Sequence, residues 1–401
     1  MNRNRNSIII IVLIIGAAFL FFNPFGGGRQ GAAKLPRADQ QLVQQLSGYV
    51  EQHYQTPADY VLSELGSHTI VFLGEPSKIS QNVDFVKSLI PQLYAHGIRN
   101  LGIEYALSSD QEKIDRLTTG PSYDPKLANR ILFDYLVIWG YQGYADLFQA
   151  AWQLNHSLPP GAPPFHIIGL GVKQDWQYLV KKSDSQDPAI LRQVFANGVP
   201  DQHMAQVIEK SILASGEKAL IFTSTRSAFT AYRNSDYAQQ MKKMGFSETE
   251  RAGNIIYDMI GSKSFTILFH QPWPTTDVSS DVYPVGGAID RMINALPADE
   301  RSAGFSIDGT PFAALPVTNK SFSAGNSGLT LAGLCDGYII QGPLSSYTPV
   351  APIPDFIDAA NLATARADFP GPKPGNISAD DLNAFIKNSL TSLGRYYSAL
   401  Q

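Results

Sequence analysis

The 401-residue sequence predicts an α/β protein: a mostly parallel central sheet flanked by helices on both faces, preceded by an N-terminal transmembrane helix. Three observations carry this. Several short segments are apolar without interruption, as strands covered on both faces are. They alternate with stretches whose apolar residues recur at helical spacing. The chain also opens on an uncharged apolar run behind a short basic tail. Hydrophobic residues make up 44% and charged residues 16%, which supports a real core and excludes a disordered chain. A net charge of −4 without any basic run leaves nucleic-acid binding without electrostatic support.

Taken in order, residues 1–6 ("MNRNRN") read as a cytoplasmic tail and residues 7–25 as a signal anchor. The uncharged run Ser7 to Phe22 makes a helix of about 24 Å, slightly short of a hydrocarbon core of about 30 Å. Pro24 and Phe25 extend it through the interface. A cleaved signal peptide is the alternative, but the run is long for one, and "GAA" at Gly31 to Ala33 is distant as a cleavage site. Arg3 and Arg5 flank one side, Arg29, Lys34 and Arg37 the other. The small basic tail favours the cytoplasm, which makes this a single-pass membrane protein with its main domain extracytoplasmic. A single cysteine, Cys335, suits that address and rules out an intrachain disulfide; in "LCDGYII" it reads as a small buried hydrophobe.

Residues 26–39, with three consecutive glycines, read as a flexible linker, and residues 40–401 as one α/β domain. Seven strands follow: "TIVFLGE", "RNLGIEYA", "PFHIIGLGV", "KALIFTST", "SFTILFHQPW", "AGFSIDGTPF" and "CDGYIIQGP". Between the first two, "NVDFVKSLIPQLYAHG" is a helix closed by Gly97. "SSDQEKIDRL" opens another, with Ser109 and Glu112 at capping-box spacing. "ANRILFDYLVIWGYQGYADLFQAAWQLNH" is one long helical stretch with a glycine interruption. The last helix is capped by Ser378, with Leu382, Phe385, Ile386, Leu390 and Leu393 on one face.

In an open parallel sheet, ligands collect at the carboxyl ends of the strands. The polar residues ending these strands are therefore the candidates: Glu75, Glu104, Ser224 to Ser227, His270, Asp308 and Asp336. Two carboxylates and a histidine there can make an acid–base site or part of a metal site. Each has a plainer alternative. Glu75 precedes Pro76 and can cap the next helix; Glu104 can pair with Arg99 or Lys78; His270 can be a satisfied core histidine. Asp308 and Asp336 both precede glycine, an ordinary turn. No dinucleotide fingerprint, phosphate loop or nucleophile elbow is present.

The run "FLGEPS", "GIRNLGIEYALSSDQEKID", "WGYQGYADLFQAAWQLN", "FHIIGL", "TILFHQPW", "DGYIIQG" resembles the erythromycin esterase-like and ChaN-like haem-uptake group of α/β proteins, from about Ile70 to Phe356. The resemblance implies a site built from a glycine–glutamate at the first strand end, a glutamate on the second, and histidines. Glu75, Glu104 and His270 match and take catalytic roles on that basis. The histidine expected after the first glutamate is replaced by Ser77 and Lys78, and those expected before "AFT" by Arg226 and Ser227. Arginine and lysine are neither general bases nor metal ligands at ordinary pKa, so no metal ligand is assigned and no cofactor is specified. The expectation is that Lys78 and Arg226 neutralise Glu75 and Glu104, because two close carboxylates do not both stay ionised without a cation. Ser77, Lys78, Arg226, Ser227 and Asp308 then line a pocket for an unidentified small molecule.

Three functions follow, in order of preference. The first is a ligand-binding protein on a hydrolase-like fold, a pseudoenzyme. The second is an esterase-like hydrolase using Glu75 or Glu104 with His270. The third is haem or metal-ion handling at the cell surface, with Tyr105, Tyr141 and Tyr144 as candidate axial ligands. The expected partners are the membrane, through the N-terminal helix, and the small molecule.

Overall fold

The computed structural model describes residues 34–275, 281–318, 320–323 and 326–400. The tail, the anchor at residues 7–25 and the linker up to residue 33 lie outside the described residues. Among the described residues no helix is long and apolar enough to cross a membrane.

All seven expected strands are present and form one sheet. In chain order they are β1 (Ile70–Glu75), β2 (Asn100–Leu107), β3 (His166–Gly171), β4 (Ala219–Ser224) and β5 (Ser264–Phe269). A two-residue ribbon, β6 (Trp273–Pro274) with β7 (Asp281–Val282), stands apart from it. β8 (Ser302–Ser306) and β9 (Gly337–Gln341) complete the sheet. The order across the sheet is β3-β2-β4-β1-β5-β9-β8. Every pairing is parallel except β8 with β9.

Strand alternation sorts the side chains onto two faces. Val71, Leu73, Leu101, Ile103, Tyr105, Leu220, Phe222, Ile267 and Phe269 belong to one core. Helices Ser80–Ala95 and Gln142–Ser157 cover it, inserting Val83, Val86, Leu147 and Phe148. On the opposite face Ile70, Phe72 and Ile221 meet helices Pro200–Ser211 and Ala252–Ile260, through Met204, Ile208 and Ile256. Further along that face Leu268 and Tyr338 meet helix Ala288–Ala295 through Ile289 and Met292.

Two local readings change. The long helical stretch is two helices, Pro125–Tyr135 and Gln142–Ser157, with a turn at residues 136–141 between them. Gly140 permits the break, since a Cβ there would meet the Phe356 ring at 2.5 Å. A 3-10 turn, Ser108–Asp110, precedes helix Gln111–Thr119, which has no side-chain cap bond in place of the expected capping box. The final helix, Ala379–Ser398, keeps the Ser378 cap, reciprocated by Asp381, and buries Leu382, Ile386, Leu390 and Leu393.

Candidate active site at the carboxyl rim of the sheet

Glu75 is the last residue of β1 and is fully buried. By alternation it points to the same face as Val71 and Leu73. The Tyr144 hydroxyl donates to its Oε1 at 2.8 Å and in turn accepts from the Lys78 backbone N–H at 2.8 Å. Glycine before it is required by packing: a Cβ at Gly74 would lie 2.8 Å from Leu268 Cδ2 and 3.0 Å from the Thr225 backbone. Burial pushes the Glu75 carboxyl up to about 8, against pull-down by the Tyr105 and Tyr144 hydroxyls and with a further push from Glu104. Glu75 is therefore protonated at neutral pH. A proton on Glu75 also eases the repulsion from Glu104.

The chain leaves Glu75 through a strained turn. Ser77 and Lys78 are consecutive non-glycine residues at φ 62° and 66°, a left-handed conformation that costs about 1–2 kcal/mol per residue. A strap holds it: Val350 N–H donates to Lys78 O at 2.9 Å and Ser80 N–H to Thr348 O at 2.8 Å. The following helix is capped at Ile79 without any side-chain bond, so Glu75 is not a helix cap. Lys78 is buried, its ammonium 5.0 Å from the Tyr141 ring centre and 5.5 Å from that of Trp139. Trp139 stacks on Tyr105 at 4.9 Å, and Tyr105 meets Tyr144 edge-on at 4.7 Å. Among the described residues, Glu75 Oε2, Ser77 Oγ and Trp139 Nε1, buried polar atoms of this cluster, lack a hydrogen-bond partner, while the Tyr105 hydroxyl lies close enough to Glu75 to lower its pKa.

Glu104 is also buried but points the other way. Its Oε2 accepts from Thr223 Oγ1 at 2.7 Å and from Ser224 N–H at 2.8 Å. Burial still raises its pKa, those bonds oppose the rise, and Asp201 adds to it. The ion pair with Arg99 does not form, since Arg99 binds Glu217. Because side chains alternate, it is Tyr105, the residue after Glu104, that shares Glu75's face.

His270 follows β5, buried on the face of Leu268. Its Nε2 pairs with Asp290 Oδ1 at 3.1 Å and its Nδ1 with the Tyr338 hydroxyl at 3.1 Å. Both ring nitrogens are engaged away from Glu75's side. Arg226, in the turn after β4, donates to Ser321 Oγ at 2.9 Å. Among the described residues it pairs with no carboxylate, so the neutralising role expected of it is not realised. Ser227 is buried and its Oγ accepts from Ser224 Oγ at 3.1 Å.

Asp308 is removed from the rim. β8 runs antiparallel to β9, so its carboxyl end lies at the amino ends of the parallel strands, and Asp308 is exposed there. Asp336 sits at that same end and accepts from Thr266 N–H at 2.7 Å.

Among the described residues no group of three or more His, Cys, Asp or Glu is arranged to hold a metal ion. Of the tyrosines considered for haem, Tyr144 has its hydroxyl committed to Glu75 and the Lys78 N–H, while the Tyr105 and Tyr141 rings pack against Trp139. Sequence reasoning missed Tyr144 and Trp139 as companions of Glu75 and Asp290 as the partner of His270. The glycine–aromatic run "WGYQGY" was the available signal for the first two.

No protein-family model and no curated protein matches the chain. Solved structures similar to it include a Bacillus cereus protein, at 11% identity and TM-score 0.45, covering 74% of this chain and 96% of that one. They also include the erythromycin esterase EreC in its open conformation, at 11% identity and TM-score 0.40, covering 76% and 96%. A third is ChaN of Campylobacter jejuni with cofacially bound haem, at 14% identity and TM-score 0.34, covering 54% and 87%. The two groups that the sequence resembles thus both stand among its structural neighbours. Likeness this remote transfers no residue role and no activity.

Proposed function

We propose that the chain is a membrane-anchored, extracytoplasmic ligand-binding protein on a hydrolase-like α/β fold. Its ligand is an uncharged polar small molecule held at the carboxyl rim around Glu75. One observation carries this reading: Glu75 Oε2, Ser77 Oγ and Trp139 Nε1 are buried polar atoms without a hydrogen-bond partner among the described residues, and burial raises the Glu75 pKa to about 8. Buried polar groups are nearly always satisfied in native proteins. A protonated carboxyl, a hydroxyl and an indole N–H can all donate, so the partner that completes them carries acceptors such as carbonyl or hydroxyl oxygens. Tyr141 and Trp139, with the Lys78 ammonium over both rings, supply the aromatic wall.

A second reading, an esterase-like hydrolase, is favoured by the same carboxyl. An acid with a pKa near 8 can donate a proton near neutral pH and act as a base above it. The engagement of His270 with Asp290 and Tyr338 leaves that chemistry without the histidine expected to assist it.

The test compares the purified full-length chain with Glu75→Gln. Binding predicts no turnover of p-nitrophenyl acetate or butyrate, and a melting shift with uncharged sugars or amides that Glu75→Gln loses. Ester turnover abolished by Glu75→Gln in a folded protein would overturn binding in favour of hydrolysis.

A further inference from the structure

Arg226 has a second, independent story. Its side chain is 92% buried, given an exposure of 8%, yet Nη1 has no hydrogen-bond partner among the described residues. Nη2 reaches only the Ser321 hydroxyl, a neutral group. The nearby charges do not compensate it. Arg251 is buried beside it and already holds Asp201, with Nη1 2.9 Å from Asp201 Oδ2. The Asp201 carboxylate is fully committed, accepting also from the Ala252 N–H at 3.0 Å and the Tyr237 hydroxyl at 3.3 Å. Asp201 therefore pairs with Arg251, and among the described residues no hydrogen bond joins it to Arg226. Burial and Arg251 push the Arg226 pKa down to about 9, which leaves it charged at neutral pH.

A buried, unpaired charge is among the costliest features a fold can carry. A guanidinium edge with a free N–H is the group best shaped for an oxyanion. The neighbours are also suited to one: Tyr232 lies beside Arg226, and Asn234 bridges Ser321 O at 2.9 Å and the Tyr232 hydroxyl at 3.4 Å, fixing the wall in place. Among the described residues no hydrogen bond joins Arg226, Ser321, Tyr232 or Asn234 to Glu75.

We infer that Arg226, with Ser321, is the anchor of an anion-binding site distinct from the Glu75 cluster, taking the carboxylate or phosphate group of a small molecule. The site stands whether or not the Glu75 cluster binds a ligand.

The test is thermal melting of the full-length chain in detergent, with sodium phosphate or sodium acetate against sodium chloride at equal ionic strength. One of the two oxyanions raises the melting temperature of the wild type saturably, and whichever does so names the class. Arg226→Gln weakens that binding at least ~10-fold, since it removes a charge-assisted bond, while Glu75→Gln leaves it intact. Without anion, Arg226→Gln melts higher than the wild type, because an uncompensated buried charge has been removed. Should Arg226→Gln fail to fold, Ser321→Ala takes its place and is expected to weaken binding severalfold. The inference is overturned by a wild type that shows no shift beyond chloride, or by a shift that survives in the variant.

Discussion

Glu75 closes β1 and Glu104, expected at a strand end, lies within β2; both are buried with raised pKa, yet they face opposite sides of one sheet and live in opposite circumstances. Glu104 is satisfied: a hydroxyl and a backbone N–H converge on Oε2. Glu75 has one phenol on Oε1, a bare Oε2, and a strained two-residue turn behind it. The first is how a fold tolerates a buried carboxyl; the second is how a fold keeps one available. β4 separates them, since Ser224 pairs in register with Glu75 while its N–H holds Glu104. Backbone strain clusters at functional sites, and a buried unsatisfied group calls for a partner.

The largest expected effect that tests the contrast is on pH. Glu75 holds its proton in the folded state up to about 8 and loses it near the ordinary 4.5 when unfolded. Between those values the native state binds more protons, so stability falls as pH rises and levels off above the folded pKa. The loss is of order 4 kcal/mol at about 1.4 kcal/mol per unit. Denaturant titrations from pH 5 to 9 should show it in the wild type and not in Glu75→Gln, which grows relatively more stable as pH rises. Equal slopes in the two proteins would place Glu75 among the satisfied carboxyls.

Next in size, Glu104→Ala leaves the Ser224 N–H bare and Thr223 Oγ1 with only the Met204 sulfur, and should cost about 3 kcal/mol in urea unfolding. Tyr144→Phe removes the hydroxyl that donates to Glu75 and accepts from Lys78 N–H, a loss of about 2 kcal/mol. It should also move the Glu75 pKa further up, because that hydroxyl holds it down; carboxyl infrared bands followed against pH read the shift. Ser77→Gly should gain about 1 kcal/mol, as glycine takes φ 62° without a Cβ clash and the orphaned Oγ disappears. If ligand binding weakens while stability rises, the strain belongs to the site. The smallest effect is Asp308→Asn, within about 0.5 kcal/mol and silent on binding, since the residue is exposed at the far end of the sheet.

Much of the fold was legible. The seven apolar runs became seven strands because burial on both faces leaves no room for polar alternation, and the helices between them followed from apolar spacing. The site was legible only as a set of letters. Glu75 could be picked out as a carboxylate closing a buried strand, but nothing local said that a tyrosine from "WGYQGY" would meet it. The pairing of His270 with Asp290 and the closure of the Tyr144 hydroxyl on the Lys78 backbone link segments distant in sequence, and no spacing rule reaches across that distance. Asp308 misled because a strand's direction depends on which neighbour it pairs with, and β8 pairs only with β9.

The sequence alone determined the α/β class, the strands, and the glutamates that close β1 and lie within β2, since these follow from hydrophobic periodicity and strand ends. Only the tertiary structure decided which face each side chain serves. Alternation is fixed by register, so Glu104 and Tyr105, adjacent in the chain, part to opposite sides, and it is Tyr105 that joins Glu75. Tertiary packing likewise decided that the Glu75 pKa is raised, because desolvation depends on everything that surrounds a carboxyl and not on the residues beside it in the chain.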